Sequence, residues 1–335
     1  MLQLGLANCS LIDLPQPTLT KGIIVSTEIR IRRDAISFGS YLLFLSFFVF
    51  PFLGLIWGII HFWGHGVDWF YLIVFIVMYT PTALGTTAGY HRYFTHESFQ
   101  AKRWVKILLG LFGSAAIQGL IRTWGPLHDL HHKESDGARD PHSPVMPGDD
   151  LWTLCKGFWH AQIGWMFLKQ DLPTNTPCAI RLNNDPIVRF IDRWILLWIT
   201  LGGILPALAG YLYEGSWLGA WYGFLWGGLI RVFFHQHFTS AVNSVCHIWG
   251  ERKFRTGDRS ADNRFIALFT FGEGFHNGHH AAKKSALHAL ENPKMDLTYQ
   301  FLKLLERFGF VWDVDKFVPS KERLDSLRVV DNCKE

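Results

Sequence analysis

Residues 69–96 read WFYLIVFIVMYTPTALGTTAGYHRYFTH, starting at Trp69 and ending at His96. No charged side chain occurs between Trp69 and Tyr90, and His91-Arg-Tyr-Phe-Thr-His96 then follows without a break. A bilayer crossing takes about 20 mainly apolar residues. The stretch therefore reads as a membrane span that carries two histidines to the membrane surface. Three further windows are long and apolar enough for the same reading, at residues 41–63, 194–213 and 217–234.

Composition agrees. Of the 335 residues 49% are hydrophobic and 16% aromatic, with 15 Trp and 28 Phe against 18% charge. Mean hydropathy is +0.13, too apolar for an ordinary soluble domain. A net charge of +4 gives no indication of a nucleic-acid partner. The cysteines Cys9, Cys155, Cys178, Cys246 and Cys333 are scattered without a CxxC, which argues against a disulfide framework or a zinc site.

The turns at 64–68 and 214–216 are short and contain no Lys or Arg, whereas the remaining segments hold essentially all the basic residues. By the positive-inside rule both termini and the long middle segment face the cytoplasm. The expected fold class is thus all-α integral membrane: four transmembrane helices in two hairpins under a cytosolic helical cap. Residues 1–40 form an N-terminal arm with its first twenty residues loosely attached. Residues 41–90 form the first hairpin, 91–193 a cap segment, 194–234 the second hairpin and 235–335 a second cap segment. Arg231, near the end of the fourth span, is expected to snorkel to the cytoplasmic side. The apolar stretch 105–121 is broken by Gly110, Gly113, Gln118 and Gly119, and reads as an interfacial or cap helix rather than a fifth crossing. Helical spacing of Leu and Phe over 295–314 predicts an amphipathic helix.

Three histidine clusters fall in the predicted cytosolic segments: His91 and His96, then His128-Asp-Leu-His131-His132, then His276-Asn-Gly-His279-His280. His247 follows the fourth span in AVNSVCH, which also contains Asn243. In HxxHH, positions i, i+3 and i+4 share one helix face, so three imidazoles converge. Residues i and i+5 lie about 140° apart on an α-helix, so His91 and His96 are expected to serve different metals or to frame a gap. Two HxxHH motifs arising by chance at this His content have a probability on the order of 0.001. Nine imidazoles are too many for one ion and suit two ions of coordination number five or six. His61, His65, His142 and His288 read as structural or solvated. Asp129, Glu134, Asp136, Asp140 and Glu273 are candidates to orient the rings. All-imidazole sites beside lipid point to redox chemistry on an apolar substrate.

HRYFTH, HDLHH and HNGHH in this order around paired spans, with NSVCH before the last, resemble the membrane fatty-acid desaturases of the stearoyl (Δ9) type. The resemblance covers about residues 40–315, including GEGFHNGHH at 272–280, DPHSP at 140–144, HAQIGWMF at 160–167 and the tail WDV. It implies four spans under a cytosolic cap, with the acyl chain in a bent tunnel beneath two Fe ions. By this resemblance the ligands are His91, His96, His128, His131, His132, His247, His276, His279 and His280, with Asn243 acting through water. Gln118 and Trp124 would lie near the tunnel bend. Asp129 stands where the family's second box usually has Arg. Pro126-Leu127 and Gly119 replace the Arg-Asp and Asn of the animal acyl-CoA enzymes, so bacterial and cyanobacterial enzymes acting on lipid acyl chains look closer.

The implied reaction is O2-dependent formation of a cis double bond in a long-chain acyl substrate carried on a lipid, CoA or carrier protein. Neither an HPGG-type haem segment nor a GxGxxG opening a helix occurs, so electrons are expected from a partner such as ferredoxin or cytochrome b5. Basic residues such as Arg252, Lys253 and Arg255 are candidates to receive it. Two rival readings are a membrane lipid hydroxylase with the same diiron chemistry and a metal transporter or sensor. A transporter would place ionisable groups within its spans, and these spans are almost free of them.

Overall fold

The computed structural model describes Gly39, Leu42 and residues 48–148, 150–168 and 172–329, all within one compact unit, Arg32–Glu335. The expected N-terminal arm therefore lies outside the described residues apart from Gly39, as does most of the first half of the first predicted span. Helix α1 spans Phe50–Phe62 and α2 spans Trp69–Leu84. The second helix continues without interruption as a π-helical segment, Gly85–Thr95. The chain then forms α3 (Arg103–Ala115), α4 (Ile121–Glu134), α5 (Leu151–Gln162), α6 (Pro177–Asn184), α7 (Pro186–Arg193) and α8 (Ile195–Glu214). Residues 217–244 form one continuous helix: α9 (Trp217–Phe224), a second π-helical segment (Leu225–Ile230) and α10 (Arg231–Ser244). The remaining helices are α11 (Arg264–Phe269), α12 (His276–Ala281), α13 (Leu297–Arg307) and α14 (Lys321–Leu327). Two short strands, β1 (Gln100–Ala101) and β2 (Val311–Trp312), pair antiparallel in the register Gln100 to Trp312.

Among the described residues two helices are long and apolar enough to cross a membrane, Trp69–Thr95 and Ile195–Glu214. The described part of the first predicted span is the 13-residue α1. The helix over 217–244 is long enough, but its Trp, Tyr, Gly and His content lowers its hydropathy. Helix α3 has 13 residues, about 20 Å at 1.5 Å per residue, too short for a core of about 30 Å. It ends sooner than the apolar stretch 105–121 because Ile117 (φ +59°) and Gly119 (φ +83°) turn the chain. The tail helix likewise occupies only Leu297–Arg307 of the predicted 295–314.

Both hairpin turns lie together. Tyr71 donates from its hydroxyl to Glu214 Oε1 (2.5 Å), and Tyr213 donates to Asp68 Oδ2 (3.1 Å). Phe70 stacks on Tyr213 with ring centroids 3.9 Å apart. Between α8 and α9 the backbones touch. A Cβ built on Gly210 would stand 2.0 Å from the Gly219 carbonyl oxygen, and one on Gly223 2.1 Å from that of Pro206. Small residues on both helices permit this close approach of their backbones.

Arg231 does not snorkel. It is buried, donating from Nε to Gly227 O (2.8 Å) and from Nη1 to Ala115 O (3.0 Å). Gln236 donates to Ala116 O (2.9 Å) and Ile117 O (3.1 Å). The abrupt end of α3 leaves carbonyls without intrahelical partners, and these two side chains satisfy them. The desolvated guanidinium finds more in those carbonyls than it would lose by staying away from water.

The π-helical segment Gly85–Thr95 is held from two sides. Ala88 packs into a core with Phe99, Val105, Leu109, Leu302 and Val311. Tyr90 and Phe94 pack into another with Ile121, Leu182, Val188 and Ile191. Replacing Gly210 or Gly223 by Leu is expected to cost several kcal/mol, about 3 or more, by forcing α8 and α9 apart. Size-exclusion and thermal unfolding in detergent check this. Gly215→Asn, at a left-handed turn with open space around it (φ +66°), should behave as the parent.

Candidate metal centre

A π-helix hydrogen-bonds i to i+5, and His96 N donates to His91 O at 3.1 Å. Residues five apart then stack one above the other. His91 and His96 consequently face the same point, not the two different ones that α-helical geometry predicts. Helix α4 brings His128, His131 and His132, and α12 brings His276, His279 and His280. His247 ends a 3-10 turn, Val245–His247, that follows α10.

All nine predicted imidazoles meet, in two groups. His91, His96, His128, His132 and His279 offer nitrogens within 4.8 Å of one another, and so do His131, His247, His276 and His280. The groups adjoin, with the His132 and His280 rings 4.4 Å apart. Each HxxHH motif is thus divided: His128 and His132 go to the first group and His131 to the second, while His279 and His276/His280 divide the opposite way.

Four rings are held by carboxylates. His131 Nδ1 donates to Asp140 (2.9 Å), His247 Nδ1 to Asp136 (3.0 Å), His280 Nδ1 to Asp258 (2.6 Å) and His91 Nδ1 to Glu273. An ionised carboxylate only accepts, so Nδ1 carries a proton, and in the neutral ring Nε2 then carries a bare lone pair. Yet Nε2 of His131 and Nε2 of His280 face each other at 3.3 Å. Two lone pairs at that separation repel unless a cation lies between them. Further Nε2–Nε2 separations are 3.0 Å (His91–His279), 3.1 Å (His96–His128), 3.0 Å (His128–His132), 2.8 Å (His132–His279) and 3.0 Å (His247–His276). Adjacent ligands about 2.1 Å from one metal stand about 3.0–3.4 Å apart. The donor set fits two metal ions.

Electrostatics favours the same occupancy. Burial drives His96, His128, His132, His276 and His279 well below the ordinary imidazole value, and the neighbouring rings add to it. Burial also pushes His280 down to about 4, against the opposing effect of the hydrogen bond it donates to Asp258. These rings are neutral at physiological pH and free to ligate. Burial raises the Asp140 and Asp258 carboxyls, but the hydrogen bonds they accept, from His131 and His280 above all, outweigh it and hold both below their usual range.

Of the predicted orienting carboxylates, Asp136, Asp140 and Glu273 reach rings. Among the described residues Asp129 and Glu134 hydrogen-bond to none of the nine, and Glu134 pairs with Arg139 (3.6 Å). Asp258 had no local signal, lying 22 residues before His280. His142 and His288 are not solvated. His142 is buried 4.5 Å from the His131 ring, and the fully buried His288 lies 4.3 Å from that of His279. Their only sequence signal was proximity to DPHSP and to the last box. Arg92 binds this region together, donating to Glu273, to Ala286 O (2.9 Å) and to Asp296 (3.1 Å). Gly272 is required here, since a Cβ on it would meet Asp296 Oδ1 at 2.4 Å and its φ is +115°.

A cavity of about 50 Å³ adjoins both groups, lined by Tyr79, Ala83, Thr86, Trp124, His128, His235, Asn243 and His276 among others. Trp124 stacks on His128 (4.9 Å). Gln118 stands behind the wall, donating to Gln236 Oε1 (2.9 Å) beside His235.

The family model described as fatty acid desaturase matches residues 68–291. A hex-5-enoyl-[acyl-carrier protein] acetylenase of Moorena producens is 34% identical over 288 residues, 85% of this chain and 89% of the relative. An sn-1 stearoyl-lipid 9-desaturase of Anabaena variabilis is 36% identical over 250 residues, 74% and 85% of the two chains. An acyl-CoA C20 Delta5-desaturase of Anemone leveillei is 36% identical over 241 residues, 71% and 70%.

Two outcomes are expected. Rings whose pKa is lowered on folding take up protons in the unfolded chain first, so stability of the metal-free protein rises with pH and is lost as pH falls below about 6.5. Thermal melting between pH of about 7.5 and 5.5 checks the sign, and a flat profile contradicts it. Asp258→Asn should weaken metal binding about 10–100-fold by chelator competition, with Glu134→Gln unchanged.

Proposed function

The chain belongs to the fatty acid desaturase family, and we propose that it is a membrane-embedded diiron desaturase placing a cis double bond at Δ9 of a saturated acyl chain. The observation that carries this reading is the gathering of nine imidazoles into two groups, with the Nε2 lone pairs of His131 and His280 facing across 3.3 Å within the second, an arrangement that two cations would stabilise. His91, His96, His128, His132 and His279 would hold one iron, and His131, His247, His276 and His280 the other. Asn243, on the cavity wall beside His276, would reach the second through water. Bound iron supplies the one-electron chemistry that activates O2 against an unactivated methylene.

This chain's residues supply position and dryness. The reacting carbons of the acyl chain would occupy the cavity between α2 and α10, whose lining runs from His91 to Tyr79. Tyr79 donates to Phe269 O (2.7 Å), which fixes its ring at the far end. Trp124 and Gln118 would hold the bend beneath the irons. Neutral buried histidines and the surrounding cores keep water from competing for the oxidant.

Four spans in two hairpins are proposed, with 91–193 and 235–335 forming the cytosolic cap. Pairing of the two Lys- and Arg-free turns at one end, opposite the histidines, supports it. The active site and both termini would then be cytoplasmic. The relatives' acyl groups are carried on lipid, CoA or carrier protein, and for this chain the substrate is proposed as a long-chain acyl lipid or thioester. Ferredoxin or cytochrome b5 would supply the electrons.

Fatty-acid profiling by gas chromatography in a ferredoxin-supplied host tests the reading. New cis-Δ9 alkenes are expected with the parent chain and none with His279→Ala at equal protein level. Hydroxylated chains without alkenes, or equal unsaturation from both proteins, would contradict it.

A further inference from the structure

Desaturation balances as R–CH2–CH2–R plus O2, two electrons and two protons giving R–CH=CH–R and two waters. The two electrons must cross the protein surface to buried metal ligands. A second cavity, of about 320 Å³, opens at the surface and has His247 in its wall. Its charged lining includes Arg252 and Arg259, both exposed and in no ion pair among the described residues. The carboxylate of Asp150, also in the lining, is engaged in capping α5 through Thr153 N (3.0 Å) and Thr153 Oγ (2.7 Å).

Both arginines are wired to one imidazole group. The backbone N–H of Arg259 donates to Asp136 Oδ2 (2.6 Å), which also accepts from His247 Nδ1 (3.0 Å). Arg252 donates from its guanidinium to the Asp258 carbonyl, and the Asp258 carboxylate accepts from His280 Nδ1 (2.6 Å). Two hydrogen-bonded paths thus run from the rim to the group His131, His247, His276 and His280. The ring of His247 is itself sealed from solvent. Trp249, 74% exposed two residues away, offers the aromatic anchor that protein interfaces use.

This cavity shares no lining residue with the one proposed for the acyl chain. It therefore suits delivery of electrons rather than entry of substrate. We propose that the Arg252–Arg259 rim is the docking site of an acidic one-electron carrier protein, and that its electrons enter at the metal held by His131, His247, His276 and His280. The proposal rests on the diiron desaturase reading. Two reduced carriers would be consumed per double bond, each becoming oxidised by one electron.

The probe is a reduced plant-type [2Fe–2S] ferredoxin with iron-loaded full-length protein in nanodiscs. Arg252→Glu combined with Arg259→Glu is expected to weaken ferredoxin binding about tenfold or more and to flatten its salt dependence. Iron content and dithionite-driven desaturation should stay at parent levels in Arg259→Glu alone, because the link of Arg259 to the imidazole group runs through its backbone N–H and survives the substitution. Lys321→Glu with Arg323→Glu controls for net charge and should leave binding within about twofold. Parent-like ferredoxin binding and salt slope in the rim variant would overturn the proposal, as would a raised KM for the acyl substrate with ferredoxin binding intact. Absence of dithionite-driven desaturation in the parent would instead overturn the desaturase reading on which it rests.

Discussion

Bare Nε2 lone pairs aimed at common points are the constraint on which the rest of this structure depends. Four carboxylates create it by holding the proton on Nδ1 of His91, His131, His247 and His280. Burial completes it by keeping the other rings neutral. An arrangement of this kind is unfavourable on its own, because buried acceptors lack donors. Metal binding would reverse the sign and so couple the fold around the histidines to bound ions.

Much of the architecture serves to hold those rings against their mutual repulsion. The first box rides on a π-helical extension wedged between two apolar cores. Arg92 ties that extension to Glu273, three residues before the third box, and to Asp296. Asp136 contributes from a left-handed backbone (φ +59°), where its carboxylate accepts from His247, Ser143 and Arg259 together. Such a conformation costs about 1–3 kcal/mol and persists where surrounding bonds over-determine it. Three carboxylates support the second imidazole group and one the first.

Convergence of the six HxxHH rings among the nine histidines was legible in the sequence, because HxxHH places three rings on one helical face wherever the helix lies. Their division into five and four was not. It depends on a π-helix that moves His96 under His91, and on which of two facing helices each ring meets. Asp258 and the burial of His142 and His288 were equally hidden, since each is decided by chain segments that meet only in three dimensions. Hydropathy located the helices well, as at Ile195–Glu214, but misjudged Arg231, whose fate was set by the carbonyls left open at the end of α3. Helix ends were fixed by backbone events such as the turn at Ile117, which composition does not encode.

The central claim is that two ions sit in two histidine groups sharing one buried site. Metal analysis of the purified full-length chain tests it most directly. About two irons per chain are expected, with His280→Ala retaining about one, because only the second group loses a ligand. Saturation at one metal per chain, or loss of no iron in that variant, would contradict it.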